Sequence, residues 1–297
     1  PSTAASPTSS VADSGVLVVE DEVYREPSDA DGESSLVDIY VGDGNEGGPV
    51  VVMLHGFSRT GPGRPDTDVG RLGEEIAELG ATVFSFGWQS TWGFSEDSTP
   101  DLSCVGPFVA ARAAEFGADA DKIVVVGHSM GGEVGSMLAL GAFDLDPSPN
   151  CTETGQAASP VAFLRIAGAY GMVGGPLDED HTRVRVRSYP RGTFEELDAD
   201  EEIVTGLTAA EIYRLDGYRS IPPASELDIV LVVGSEDVEP TANPDITAAF
   251  AEALQAAHVD AEVVIVEGGT HNNVVDPTTE AGQATLQVIA DLLPTLH

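Results

Sequence analysis

The sequence predicts an α/β fold, built on a mostly parallel twisted sheet of about eight strands with helices on both faces. Short apolar segments rich in β-branched residues alternate with longer amphipathic segments along most of the chain. The length of 297 residues is sufficient for one large α/β domain with a substantial core. The sequence has no internal repeat and no composition break within residues 16–297, so it does not indicate a second domain.

The individual elements follow this pattern in order. VLVVEDEVYRE and SSLVDIYVG are predicted antiparallel edge strands, GPVVVMLHG is a predicted central strand, and TDVGRLGEEIAELG is a predicted amphipathic helix that ends at a glycine. Strands and helices then alternate. The later predicted strands are ATVFSFGW, KIVVVG, VAFLRIAG, LDIVLVVG and AEVVIVEG. The later predicted helices are in VGPFVAARAAEFG, SMGGEVGSMLALG, DITAAFAEALQAAH and GQATLQVIADLLPTL.

Two segments depart from this alternation. Residues 1–14 are rich in Ser, Thr and Pro, which predicts a flexible spacer before a single domain at 15–297. Such a spacer often follows a removed secretion signal or lipid anchor, and a dispensable tail is the alternative. Residues from about 172 to 224 carry many acids, Gly and Pro with no long hydrophobic period. We interpret them as an irregular lid insertion over the carboxyl ends of the strands, where ligands bind in open α/β sheets.

The charge of the chain excludes several partners. There are 50 Asp plus Glu against 13 Lys plus Arg, a formal net charge of -37, and Lys122 is the only lysine. Such a surface repels nucleic acid and anionic membranes. A membrane span is not expected, since no apolar run reaches the ~18 residues of a transmembrane helix. No His or Cys cluster has the spacing of metal ligands, so a metal is not predicted. An organic cofactor is not predicted either. The number of subunits is not predicted by the sequence.

One motif suggests a nucleophile. In 122-KIVVVGHSMGGEV-134 a buried strand runs directly into Ser129, which lies between Gly127 and Gly131. Gly127-x-Ser129-x-Gly131 matches the G-x-S-x-G pattern, in which a serine occupies a strained turn between a strand and a helix. Close packing of the helix could also require Gly127, Gly131 and Gly132.

A reactive serine needs a base within hydrogen-bond reach and a third group that orients the base. His271 is the best candidate among the six histidines, because it follows the buried strand AEVVIVEG on a Gly-Gly loop. The acid is expected after the strand LDIVLVVG, where Glu236, Asp237 and Glu239 are available and Asp237 fits the spacing best.

With these motifs the chain resembles the α/β-hydrolase superfamily, and within it bacterial carboxylesterases and lipase-like, feruloyl-type esterases. The resemblance covers residues 35–297 and rests on three motifs in order. It implies Ser129 as nucleophile, Asp237 as acid and His271 as base, with His55-Gly56-Phe57 as the oxyanion-hole loop. The backbone N–H groups of Phe57 and Met130 would then stabilise the oxyanion. His55 and His128 are expected to be structural.

The implied function is a serine carboxylesterase that hydrolyses small or polymeric esters through an acyl-enzyme. A polyester or polysaccharide-side-chain (feruloyl or acetyl) esterase is the alternative, and a serine peptidase of the same fold is a weaker one. Residues just past strand ends are candidates for the substrate pocket, with core packing as the competing interpretation: Phe57, Trp88, Trp92 and Tyr170.

Two expectations follow from composition. The two cysteines, Cys104 and Cys151, are expected to form a disulfide if the protein is secreted or associated with the cell envelope, and two unrelated free thiols are the alternative. A single lysine among so many acids is typical of adaptation to high salt, and an acidic but salt-indifferent secreted enzyme is the alternative.

Overall fold

A nine-stranded, mostly parallel sheet forms the centre of the protein, and helices cover both of its faces. The computed structural model describes residues 7–27, 32–56, 65, 67–88, 99–139, 147–155, 160–168, 185–186, 203–204, 227–239, 242–256 and 261–296. The predicted α/β class is therefore confirmed, with one strand more than the expected eight.

The strands of the main sheet lie in the order β1-β2-β3-β5-β4-β6-β7-β10-β11. Antiparallel pairing joins β1, β2, β3 and β5, and parallel pairing joins the rest. The strands are β1 Thr8–Val11, β2 Leu17–Arg25, β3 Ser35–Val41, β4 Pro49–Leu54, β5 Thr82–Phe86, β6 Asp119–His128, β7 Ala162–Ile166, β10 Asp228–Gly234 and β11 Ala261–Val266. A separate antiparallel pair comprises β8 Arg185–Val186 and β9 Ile203–Val204.

Strand β1 is the additional strand, and it lies inside the segment expected to be a flexible spacer. Its four residues, TSSV, are all exposed and pair with β2 from Thr8↔Glu20 to Val11↔Leu17, so β1 is the edge of the sheet. Hydrophobic periodicity could not reveal it, because backbone hydrogen bonds rather than buried side chains hold it in place.

The core consists of two apolar layers, one on each face of the sheet. Helices α2 (Thr99–Arg112), α3 (Met130–Ala139) and α4 (Pro244–Ala256) contribute Phe108, Leu138 and Phe250 to one layer. Helices α1 (Thr67–Glu78) and α5 (Glu280–Leu292) contribute Leu72, Ile76 and Ile289 to the other. Because the central strands are buried on both faces, their sequences are apolar throughout rather than alternating.

Helix α2 begins earlier than the sequence pattern predicts. The sequence predicts the helix within VGPFVAARAAEFG, which starts at residue 105, whereas the helix begins at Thr99 with Pro100 in its first turn, a position where proline is tolerated. A buried ion pair between Arg25 of β2 and Asp101 stabilises this first turn against the sheet. The hydroxyl of Ser35 also donates to Asp101.

The structure contains the expected disulfide. Cys104 in α2 and Cys151 are bonded, with Cα atoms 5.2 Å apart and a separation of 47 positions in sequence. Cys151 also forms an isolated β-bridge with Arg25, so the segment 147–155 lies against the end of β2. The disulfide therefore joins the segment 147–155 to α2, the same helix that the Arg25–Asp101 pair fixes to the sheet.

An irregularity in β2 brings acidic residues together. Asp21 has a left-handed backbone, with φ of 59°, where the register of β2 against β3 shifts. Its N–H donates to Oδ1 of Asp38 at 2.9 Å. The pKa of the Asp38 carboxyl is raised to about 6, chiefly by burial and also by the neighbouring charges of Asp21 and Glu20, while the hydrogen bond from the Asp21 N–H acts to lower it. Burial likewise raises the pKa of Tyr40.

Most of the predicted lid, residues 172–224, lies outside the described residues. Within the described part of the chain, no helix has the length and hydrophobicity to span a bilayer.

Candidate active site

Ser129 occupies the junction between β6 and α3 in a strained conformation. Its φ is 53°, in the left-handed region that residues with a Cβ seldom adopt. Such an outlier costs of order 1–3 kcal/mol and persists only where surrounding structure enforces it. Here the N–H of Ser129 donates to the carbonyl of Ile166 on β7 (3.1 Å), and its carbonyl accepts from Gly132 N–H (2.9 Å).

The glycines around Ser129 permit backbone segments to approach each other closely. A Cβ on Gly127 would lie 2.1 Å from the carbonyl oxygen of Gly131, and one on Gly131 would lie 2.1 Å from that of Leu54. A Cβ on Gly132 would approach the Cα of Gly168 to 2.8 Å. Side chains are sterically excluded at these positions. The glycines are therefore required by the close approach of neighbouring backbone to the turn at Ser129, as well as by the packing of α3.

A chain of two hydrogen bonds connects Ser129, His271 and Asp237. His271 Nε2 lies 2.9 Å from Ser129 Oγ, and His271 Nδ1 lies 3.0 Å from Asp237 Oδ2. The Asp237 carboxylate is fully buried, while the imidazole is 22% exposed. The three residues follow β6, β10 and β11 at their carboxyl ends, so the parallel sheet brings them to one edge.

Of the three acids after β10, Asp237 is the one in contact with His271. Its N–H donates to the carbonyl of Gly234 (3.1 Å), and its Oδ1 accepts from the N–H of Glu239 (2.9 Å). These bonds turn the carboxylate inward and leave Oδ2 for His271. Glu236 and Glu239 are exposed.

The loop that carries His271 is held by local hydrogen bonds. Asn273 Oδ1 accepts from the N–H of Thr270 at 2.6 Å, and Asn273 Nδ2 donates to the carbonyl of Gly268 at 3.4 Å. The N–H of Glu236 donates to the carbonyl of Gly269 (2.8 Å), which ties the loop to the turn containing Asp237. These hydrogen bonds fix the backbone that carries the imidazole of His271.

The end of β4 passes directly beside Ser129. A Cβ on Gly56 would lie 2.9 Å from the Cβ of Ser129, so the predicted oxyanion loop begins in contact with Ser129. Phe57 itself lies outside the described residues. Met130 is the first residue of α3, where a backbone N–H has no acceptor within the helix and the helix dipole is positive. That N–H suits an anionic oxygen next to Ser129.

Trp88, a predicted pocket residue, is completely buried. Its indole N–H donates to the carbonyl of His55 (3.3 Å), and its backbone N–H donates to His55 Nε2 (3.4 Å). His55 Nδ1–H donates in turn to the carbonyl of Gly56 (2.6 Å). Trp88 and His55 thus support the backbone beside Ser129 from within the core. Trp92 and Tyr170, the other predicted pocket residues, lie outside the described residues.

Two contacts near Ser129 were not predicted from the sequence. His128 Nε2–H donates to the backbone carbonyl of His271 (2.8 Å), and the two rings lie 5.2 Å apart between centroids. Buried Arg165 donates from Nη1 to Ser136 Oγ (2.5 Å), which donates to the carbonyl of Gly132 (2.7 Å). His128 belongs to the quoted motif, which was the available signal, but a motif does not indicate the partner of a side chain.

The described residues contain no cluster of three or more His, Cys, Asp or Glu that could ligate a metal ion. The chemistry that the site can perform with its own groups is proton transfer between Ser129 and His271, next to backbone donors suited to an oxyanion.

Comparison with known proteins assigns the chain to a family. The sequence profile of the "Alpha/beta hydrolase family" matches residues 51–285. The chain therefore belongs to the alpha/beta hydrolase family. Two curated relatives, both named probable isoprenylcysteine alpha-carbonyl methylesterases of Arabidopsis thaliana, are 22% and 24% identical over 204 residues. That region is 68% of this chain but 41% and 46% of the relatives, so the chain matches less than half the length of each.

Solved structures with the same fold are named as esterases. A truncated carbohydrate esterase from gut microbiota has a TM-score of 0.61 at 15% identity, covering 92% of this chain and 95% of its own. An esterase of the archaeon Pyrobaculum calidifontis has a TM-score of 0.61 at 20% identity, covering 93% of this chain and 85% of its own. A thermophilic esterase of Thermogutta terrifontis, with propionate bound, has a TM-score of 0.59 at 19% identity, covering 93% of each chain. At these identities the likeness concerns the fold.

Proposed function

We propose that this protein is a serine carboxylesterase that hydrolyses carboxylic esters through an acyl-enzyme on Ser129. The observation that carries the proposal is the continuous hydrogen-bond chain from Ser129 through His271 to buried Asp237, with Ser129 in a strained turn. Membership of the alpha/beta hydrolase family supports it, as do the esterase names of the curated relatives and similar structures.

In the proposed acylation, Ser129 Oγ attacks the ester carbonyl and His271 Nε2 takes its proton. Asp237 accepts from His271 Nδ1–H, which keeps the Nε2 lone pair directed at Ser129 and stabilises the imidazolium that forms. The backbone N–H groups of Phe57 and Met130 are the proposed oxyanion donors, each of them worth ~10²–10³ in rate. His271 then protonates the leaving alcohol.

Deacylation repeats these steps with water. A water molecule gives its proton to His271 Nε2 and attacks the acyl carbonyl, and the tetrahedral intermediate collapses as the proton returns to Ser129 Oγ. The products are the free acid and the regenerated enzyme. Apart from the ester and this water, the steps use only groups of the chain itself.

The alcohol and acyl groups of the substrate remain alternatives within this proposal. Small esters are one class, and polyesters or the feruloyl and acetyl side chains of polysaccharides are the other. Resemblance in fold to a carbohydrate esterase and to an acetyl ester-xyloside bifunctional hydrolase makes the second class worth testing. A peptidase of the same fold would use the same three residues.

We also propose that the protein acts outside the cytoplasm and in high salt. The Cys104–Cys151 disulfide supports an oxidising compartment, since such bonds are rare in cytosolic proteins. The net charge of -37 supports a saline one.

The test is a panel of p-nitrophenyl esters of increasing acyl length, acetylated xylan, a feruloyl ester and a p-nitroanilide. We expect turnover of the esters, little of the anilide, and complete loss in Ser129→Ala. Ser10→Ala, an exposed serine of β1, is the matched control and should retain full activity. Appreciable turnover of the anilide would favour the peptidase over the esterase, and activity in Ser129→Ala would refute the mechanism.

A further inference from the structure

We infer that His128 is a positioning residue that holds His271 in place during deacylation. This inference rests on the proposed function and deepens it by assigning a residue to one half of the reaction. His128 is 3% exposed, and its Nε2–H donates to the carbonyl of His271 at 2.8 Å. The bond joins the residue preceding the nucleophile to the backbone of the base.

Within the described residues, three hydrogen bonds reach His271. They involve Ser129 Oγ at Nε2, Asp237 Oδ2 at Nδ1 and His128 Nε2 at the backbone carbonyl. The turn that carries Ser129 therefore holds His271 twice, once through Ser129 itself and once through His128. Asp237 holds it from the other side.

Acylation removes one of these bonds. Once Ser129 Oγ is esterified it has no proton to donate to His271 Nε2, so the bond that places the imidazole against the nucleophile is lost. The other two remain, because neither the Asp237 carboxylate nor the His271 carbonyl changes covalently. Of these two, only the bond from His128 connects His271 to the turn that bears the acyl group.

The consequence is a difference between the two half-reactions. In acylation Ser129 and His271 orient each other directly. In deacylation His271 must activate a water near an acyl carbonyl to which it has no bond, so its position depends on the remaining contacts. A misplacement of about 1 Å in a general base can cost ~10² in rate. Loss of the His128 donor should therefore slow deacylation more than acylation.

The chain offers well-matched substitutions. In His128→Gln the amide nitrogen stands the same number of bonds from Cβ as Nε2 does in histidine, so the donor is kept. His128→Leu removes the donor at similar volume. His128→Asn keeps a donor, but its side chain is too short to reach the carbonyl of His271. Ser136→Ala is the control for general loosening, since Ser136 supports Gly132 in the first turn of α3 without contacting His271.

The experiment is stopped-flow hydrolysis of p-nitrophenyl acetate by the full chain. The burst phase gives the acylation rate, and the steady state gives the deacylation rate. We expect His128→Leu and His128→Asn to lower deacylation ~10- to 100-fold and acylation less than ~5-fold, so that acetyl-enzyme accumulates. His128→Gln should restore deacylation, and Ser136→Ala should leave the ratio of the two rates unchanged.

The inference is overturned if both donor-deficient variants slow acylation as much as deacylation, or if glutamine does not restore the rate. Should His128→Leu fail to fold, the asparagine and glutamine pair decides the question. Failure of the proposed function is a separate result, because it would appear as absent ester turnover and absent acetyl-enzyme in the unaltered protein.

Discussion

Substitution of Asp237 by asparagine tests the orientation of the base at a single atom. In the native site Asp237 Oδ2 lies 3.0 Å from His271 Nδ1, and Oδ1 accepts from the N–H of Glu239 at 2.9 Å. The asparagine carbonyl oxygen will keep the bond to Glu239, which places the amide NH₂ group against His271. Nδ1 must then act as acceptor, so the ring proton moves to Nε2. In that tautomer His271 donates to Ser129 and cannot take its proton.

The expected loss in kcat is about 10⁴, equivalent to about 5 kcal/mol of transition-state stabilisation. Steady-state hydrolysis of p-nitrophenyl acetate measures it, with circular dichroism to show that the variant is folded. Glu236→Gln and Glu239→Gln are the matched controls. Both side chains are exposed, and the bond from residue 239 comes from its backbone, so each control should remain within about threefold of the native rate. Loss at either glutamate as large as at Asp237 would show that the acid has been misassigned.

Three further predictions concern stability. Cys104→Ala combined with Cys151→Ala should lower the free energy of unfolding by about 4 kcal/mol, the chain-entropy value for a loop of 47 residues, measured by urea denaturation; an unchanged midpoint would contradict it. The raised pKa of Asp38, about 6, means that its stabilising contribution is complete below the unfolded pKa near 4 and is lost as the pH rises through 6. Asp38→Asn keeps an acceptor for the Asp21 N–H, so it should stabilise the protein at pH 7 by about 2 kcal/mol and have little effect at pH 4, and equal effects at both pH values would refute this. Because the net charge is -37 and screening shortens from ~10 Å at 0.1 M to ~3 Å at 1 M salt, the melting temperature should rise from dilute buffer to molar NaCl, with KCl as a check on ion specificity. A flat or falling melting temperature with full activity in dilute buffer would support the salt-indifferent alternative.

The fold could be predicted because its information is local and repeated. Strands such as VVVML in β4 and IVVV in β6 are apolar on both faces, which indicates a parallel sheet without knowledge of any contact. The positions of Ser129, Asp237 and His271 at strand ends were predictable for the same reason, since the carboxyl ends of parallel strands share one edge.

Other features depend on contacts that one-dimensional patterns do not contain. Strand β1 buries nothing, so no hydrophobic period marks it. The start of α2 depends on the ion pair between Asp101 and Arg25, which are 76 positions apart in the sequence. A position just past β5 made Trp88 a candidate for the pocket, but the direction of its side chain is set by the hydrogen bonds to His55. His128 was visible in the motif, while its acceptor on His271 lies 143 positions away.

The identity of the nucleophile is tested most directly by covalent labelling. The unaltered protein is treated with a serine-directed phosphonate and measured by intact mass and peptide mapping, beside Ser129→Ala, Ser10→Ala and His271→Ala. We expect one phosphonyl group per chain, located on Ser129, with loss of ester turnover in proportion to labelling. Ser129→Ala should remain unlabelled, Ser10→Ala should label as the native protein does, and His271→Ala should label far more slowly because no base accepts the Ser129 proton. Label on another serine, or turnover that survives complete labelling of Ser129, would show that Ser129 is not the nucleophile.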